Sequence, residues 1–102
     1  MKIIDVQELQ HRIQSGGKLN LVDVREPNEH EEFNIGGILL PLGEIRISEI
    51  ESIEGLKDQE VICYCRSGNR SGQAAMILES LGFTNVINVT GGMLSWRENF
   101  PE

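Results

Sequence analysis

No stretch of this 102-residue sequence reaches the about 20 consecutive apolar residues that a bilayer-spanning helix needs. The N-terminal M-K-I-I-D-V-Q-E-L-Q lacks both the apolar core and the small-residue cleavage site of a secretory signal, so a cytoplasmic location is the expectation. Cysteine is scarce: Cys63 and Cys65, two positions apart, are neither a disulfide framework nor a C-x-x-C pair. With His11 and His30 the only histidines, no convincing four-ligand metal site can be assembled, and neither a metal nor another cofactor is expected. A formal net charge of −7 disfavours nucleic acid and anionic membrane as partners.

One absence is local. No Asp or Glu occurs from Val61 through Leu78, although the chain holds 16 acids, and Arg66 and Arg70 lie in that window. Either the acids cluster elsewhere by chance, or an acidic protein keeps one cationic segment for an anion.

What is present reads as an ordinary globular chain, 39% hydrophobic and 25% charged. A domain of this length buries roughly 65% of its unfolded surface, and a single domain over residues 1–102 is expected. Repeats, low-complexity tracts and linkers are missing, and nothing in the sequence indicates the oligomeric state.

Strand-like and helix-like segments alternate, which predicts an α/β domain with a largely parallel sheet. Ile3-Ile4 suits an edge strand. Asp5 with Glu8 has the form of a capping box, and Val6, Leu9 and Ile13 follow at helical spacing until Gly16-Gly17. Leu19 to Val24 reads as a strand delivering Asp23 and Arg25 to a loop, and Pro27 to Glu32 as a short polar helix. Ile38 to Leu40 is a brief apolar run closed by Pro41, and Ile47, Ile50 and Ile53 suggest a one-faced helix ending near Gly55. Val61 to Tyr64 is apolar on both faces, the signature of a central strand. Ser71 to Leu81 reads as a helix burying Ala74, Ala75, Ile77, Leu78 and Leu81, with Gly82 as its cap. Val86 to Val89 is a further strand, followed by Gly91-Gly92 and an amphipathic turn around Met93 and Trp96.

On this map Cys65 stands at the carboxyl end of the central strand, where open α/β sheets bind ligands. A cysteine there can be merely a small buried hydrophobe. Three neighbours argue for a thiolate instead. The next helix points its positive end at the loop. Gly68 allows the left-handed backbone of an anion-holding nest. Arg66 and Arg70 add positive charge. The thiolate is the reactive form of cysteine. Cys63, on the strand itself, reads as core packing rather than a resolving thiol. His30, among Glu29, Glu31 and Glu32, reads as part of a solvated helix face, and His11 as exposed.

Y-C-R-S-G-N-R-S resembles the active-site loop of the rhodanese-like sulfurtransferase family. L-V-D-V-R-E at Leu21 to Glu26 and G-G-M-L-S-W at Gly91 to Trp96 are similar to two further segments of that family, in the same order. The resemblance implies a three-layer α/β/α fold around a sheet of about five strands. It implies that Cys65 carries sulfur as a persulfide, cradled by the backbone of Arg66, Ser67, Gly68, Asn69 and Arg70. Side chains of Arg66 and Arg70 would recognise an anionic donor. Asp23 and Arg25 would brace the loops, Gly91 and Gly92 would form a tight turn, and Trp96 would pack in the core. The chain departs from the family at F-N-I-G-G-I, Phe33 to Ile38, where the family often reads G-H-I-P-G-A; Asn34 stands for a supporting histidine and Gly36 for the proline.

The implied chemistry is ping-pong transfer. Cys65 takes the outer sulfur of a donor such as thiosulfate, and cyanide, glutathione or a protein thiol removes it. The rival enzyme reading is a cysteine-dependent phosphatase or arsenate reductase, but cysteine phosphatases use C-x5-R, whereas Cys65 to Arg70 is C-x4-R with serine at position 71; the tighter loop suits one sulfur better than a phosphoryl group. A third reading is a persulfide carrier or regulatory module that serves a protein partner.

Overall fold

The computed structural model describes residues 1–101. Its strands are β1 (Lys2–Ile4), β2 (Leu21–Asp23), β3 (Ile38–Leu39), β4 (Glu60–Tyr64) and β5 (Asn85–Val89). The helices are α1 (Val6–Gln14), α2 (Pro27–Glu32), α3 (Leu42–Arg46), α4 (Asn69–Ser80) and α5 (Gly92–Asn99), with a 3-10 turn at Glu51–Leu56. The order across the sheet is β1-β5-β4-β2-β3, and every pairing is parallel. Among the described residues no helix is long and apolar enough to cross a membrane.

The two faces of the sheet follow from the period-two alternation of strand side chains. Val61, Cys63 and Cys65 of the β4 segment join Val22, Val24 and Val86 in a cluster with Ala74, Ala75 and Leu78 of α4. Ile62 and Tyr64 point the other way, packing with Ile87, Val89, Leu9 of α1 and Met93 of α5. Both cysteines therefore lie on the α4 face. The chain leaves β4 towards β5 but leaves β2 towards β3. The loops following these two neighbours diverge at a switch point, the place where such sheets open a crevice.

Several local expectations shift. Asp5 caps α1 by accepting the Glu8 N–H at 2.8 Å, but Glu8 turns its own carboxylate to Arg12 at 2.8 Å, so only half the capping box forms. The isoleucines at 47, 50 and 53 do not share one helix. Ser48, at φ 60°, breaks the chain between α3 and the 3-10 turn, leaving Ile47 65% exposed while Ile50 and Ile53 are buried. Helix α4 starts at Asn69 rather than Ser71, because Gly68 adopts φ 100° and caps it. That two-residue difference puts Ser71 in the first turn, where backbone N–H groups have no helical partner.

Two contacts fix the loop after β4 from outside. Arg70 places its guanidinium on the Glu29 carboxylate of α2 with both nitrogens, at 2.7 and 2.9 Å. From the opposite side, α5 donates its Met93 N–H to the Cys65 carbonyl and its Leu94 N–H to the Arg66 carbonyl, each at 2.9 Å. Such close backbone approach requires glycine at 92. A Cβ there would lie 2.5 Å from the Arg66 carbonyl carbon and oxygen and from the Cys65 oxygen, at φ +55°.

Gly92→Ala is accordingly expected to lower stability by about 2–4 kcal/mol through overlap and backbone strain, measured by urea unfolding; an unchanged midpoint would refute that close docking. The bond from Arg70 holds Glu29 well below its usual 4.5, at about 2. A depressed carboxylate contributes stability above its unfolded value and loses it as pH falls through its folded one. The stability difference between the native protein and Glu29→Gln should be full above about pH 4.5 and shrink as pH falls towards 2. Thermal unfolding across pH 2–7 reads this, and a pH-independent difference would contradict it.

Candidate active site

Cys65 directly follows β4 and is 1% exposed. Its Sγ accepts the Gly68 N–H at 3.1 Å, the Ser71 N–H at 3.4 Å and approaches the Ser71 hydroxyl at 3.3 Å. Burial alone raises a thiol's pKa. Here the bonds from the Ser71 hydroxyl and from the Ser71, Gly68 and Ser67 N–H groups outweigh it, and the pKa of Cys65 falls below its ordinary value. Cys63, on the same face but inside the strand, is pushed up to about 12 by burial and by its neighbour Cys65. Its ladder position offers the sulfur no free N–H.

The loop residues fall into distinct places. Arg66 and Ser67 are exposed, Gly68 carries the left-handed turn, and Asn69 opens α4. Arg70 requires a correction: its fork is filled by Glu29, so it ties α2 to the loop instead of presenting an open charge to a donor. Besides Arg46, which donates to the Gln73 amide, the arginines without a carboxylate within 4 Å, among the described residues, are Arg66 and Arg97. Both border a cavity of about 290 Å³ beside the loop, with Arg25, Phe33 and Met93 among its other walls. Arg97 lies over the Phe33 ring, 4.7 Å from its centroid. Cys65 itself is not part of the lining.

Asp23 and Arg25 form a buried brace beneath α2. The Arg25 side chain grips the Asp23 carboxylate at 2.8–3.2 Å and also donates to the Phe33 carbonyl at 2.5 Å. The brace lies against β4, since Arg25 sits over the Tyr64 ring at 5.7 Å and the Tyr64 hydroxyl donates to the Gly36 carbonyl at 2.9 Å. His30 corrects the sequence reading. It is not a solvated residue of an acidic face; its Nδ1 lies 2.8 Å from Asp23 Oδ2. Asn34 meanwhile locks the turn, donating to the His30 carbonyl and accepting the Gly36 N–H, both at 2.8 Å. An imidazole is thus present at the brace although position 34 lacks one. Gly91 caps α5 at φ 78°, Gly92 makes the close approach described above, and Trp96 packs half-buried against Phe100.

Sequence reasoning missed Ser71 as a sulfur contact and missed Asn88 entirely. Asn88 is 7% exposed on β5, with its Oδ1 2.5 Å from the Ser71 Oγ and its Nδ2 donating to the Gly68 carbonyl at 3.2 Å. The signal available was a single amide inside the otherwise apolar V-I-N-V. Glu29 was also missed, its partner lying 41 residues away.

Comparison with known proteins agrees with this fold. Residues 5–99 match the Rhodanese-like domain family. The chain is 40% identical over 102 residues to a protein of Allochromatium vinosum named sulfurtransferase, covering 96% of this chain and 91% of that one. It is 37% identical over 94 residues to Bacillus subtilis YrkF, covering 91% of this chain but only 49% of the relative, so it spans about half that protein's length. A crystal structure of a Staphylococcus aureus rhodanese-like domain protein superposes with a TM-score of 0.81 at 29% identity, covering 94% of this chain and 91% of that one. With a parallel five-stranded sheet, the loop at the end of its central strand and a family match over nearly its whole length, the chain belongs to the rhodanese-like family.

Proposed function

We propose that this protein is a sulfurtransferase, moving a sulfane sulfur from an anionic donor such as thiosulfate to a thiophilic acceptor through a persulfide on Cys65. The observation that carries this reading is the convergence of the Gly68 and Ser71 donors on a buried Sγ. Such donors stabilise negative charge on sulfur, and they are in place before any reaction begins.

In the first half-reaction the Cys65 thiolate attacks the outer sulfur of thiosulfate. A new S–S bond forms, the donor's S–S bond breaks, and its electron pair leaves with sulfite. The negative charge then resides on the terminal persulfide sulfur, within reach of the loop N–H groups. In the second half an acceptor nucleophile (cyanide or a thiolate) bonds to that sulfur, and the electron pair returns to Cys65. Neither half needs a redox cofactor or a metal to balance. Arg66 and Arg97 would draw the anionic donor towards the loop, and Arg70 would act indirectly, by holding α2 in place. The C-x4-R loop favours this over phosphoryl transfer, since one sulfur needs a smaller cradle than three phosphoryl oxygens.

Incubation with thiosulfate should add one sulfur to Cys65, seen by mass spectrometry, and cyanide should remove it as thiocyanate. An adduct that never forms, or forms equally on Cys65→Ala, refutes the proposal. Arg66→Ala should raise the KM for thiosulfate about 2–5-fold with kcat little changed, the worth of one exposed charge pair. Turnover of p-nitrophenyl phosphate should be negligible; efficient hydrolysis would favour phosphatase chemistry instead.

A further inference from the structure

Ser71, the last residue of the Y-C-R-S-G-N-R-S segment, touches the sulfur, and Asn88 touches Ser71 from β5, outside that segment. Ser71 is fully buried, and a hydroxyl has one proton to donate and two lone pairs to accept with. Two acceptors compete for that proton: Asn88 Oδ1 at 2.5 Å and Cys65 Sγ at 3.3 Å. The amide cannot turn around without cost, because its Nδ2 donates to the Gly68 carbonyl. Its Oδ1 therefore faces Ser71 and carries no hydrogen, so in that contact Ser71 must be the donor.

We infer that the Ser71 hydroxyl is a catalytic hydrogen-bond switch, donating to Asn88 when Cys65 is uncharged and to Sγ when the charge sits there, with Asn88 the positioning residue that holds the alternative. In the thiol state the chain of bonds closes as Cys65 S–H to Ser71 Oγ and Ser71 O–H to Asn88 Oδ1. In the thiolate state Sγ has no proton, and the oxygen lone pairs would face a negative sulfur unless the hydroxyl rotates towards it. Once the persulfide forms, charge moves to the outer sulfur and the hydroxyl returns to Asn88. When an acceptor attacks, the electron pair comes back to Sγ and the hydroxyl follows it. The bond to Sγ thus strengthens as Cys65 becomes the leaving group, the condition under which an interaction accelerates a step instead of merely binding. A better-stabilised thiolate is also a faster leaving group in thiol–disulfide chemistry.

The other groups around this sulfur remain constant in the comparison. The charged ones are Arg66 in the loop and the Arg70–Glu29 pair joining α4 to α2. From β4 comes Cys63, while β2 and β5 present Val22, Val24 and Val86 on this face. Replacing Ser71 or Asn88 alters none of them.

The role in turnover rests on the sulfurtransferase reading, but the switch itself is measurable without a sulfur donor. The rate of Cys65 alkylation by iodoacetamide, followed across pH by peptide mass spectrometry, reports the thiolate fraction. Ser71→Ala should move the midpoint upward by about one pH unit, the worth of a hydrogen bond to a charged group. Asn88→Ala should move it the opposite way, because the thiol form loses its closed chain and the hydroxyl is released to the sulfur. Discharge of preformed persulfide to cyanide should slow about tenfold in Ser71→Ala. Opposite signs support the switch, since a merely structural pair would shift unfolding midpoints without dividing in this way. A Ser71→Ala midpoint unchanged in the folded protein overturns the inference. Should Ser71→Ala fail to fold, Asn88→Ala decides alone, and an unchanged or raised midpoint overturns it. Failure of persulfide formation with the opposite shifts intact would refute the sulfurtransferase reading and leave the switch standing.

Discussion

A sulfur that is almost wholly buried is held as an acceptor of N–H and O–H donors, and the surrounding structure serves that arrangement. Burial works against the thiolate, so the donors must be numerous, close and fixed in advance. They come from a left-handed glycine and from the first turn of α4, whose N–H groups have no helical partners and are free to point at Sγ. Cys63 shows what happens without them. It shares the sheet face and the burial of Cys65, but lies within β4, where ladder bonds occupy the backbone. Two residues separate a thiol whose pKa is raised from one whose pKa is lowered.

The remainder of the fold holds the loop to its shape. Helix α5 binds the carbonyls of Cys65 and Arg66, which turns the opposite, N–H side of the loop towards the sulfur. Asn88 holds the Gly68 carbonyl from below. The Arg70–Glu29 pair ties α2 to the loop, and α2 in turn meets the buried Asp23–Arg25 pair through His30. Because β2 and β4 are neighbours whose following segments diverge, the brace and Cys65 emerge side by side despite some 40 residues between them in sequence.

Much of this was legible in the sequence where the physics is local. The apolar run at Val61 to Tyr64 marked the central strand and the turn from Cys65 into a helix, although the acid-free window gave no sign that α2 brings Glu29 onto Arg70. Less legible were pairings that depend on which strands become neighbours. Ser71 looks like the ordinary polar start of a helix until Gly68 is seen to begin that helix two residues earlier. Asn88 looks like a weakness in a strand until α4 covers it. His30 resembles its charged neighbours in sequence, and only the turn of α2 brings it onto Asp23. The isoleucines at 47, 50 and 53 have helical spacing, yet Ser48 interrupts the helix, a backbone choice their periodicity does not encode.

The central claim is that this loop is a cradle for a sulfur-borne negative charge. A crystal structure of the protein soaked in thiosulfate tests it most directly. Density for one additional sulfur bonded to Cys65 Sγ, lying within hydrogen-bond distance of the loop N–H groups, is the predicted result. An extra sulfur directed away from the loop, or intact thiosulfate beside an unmodified Cys65, would contradict it.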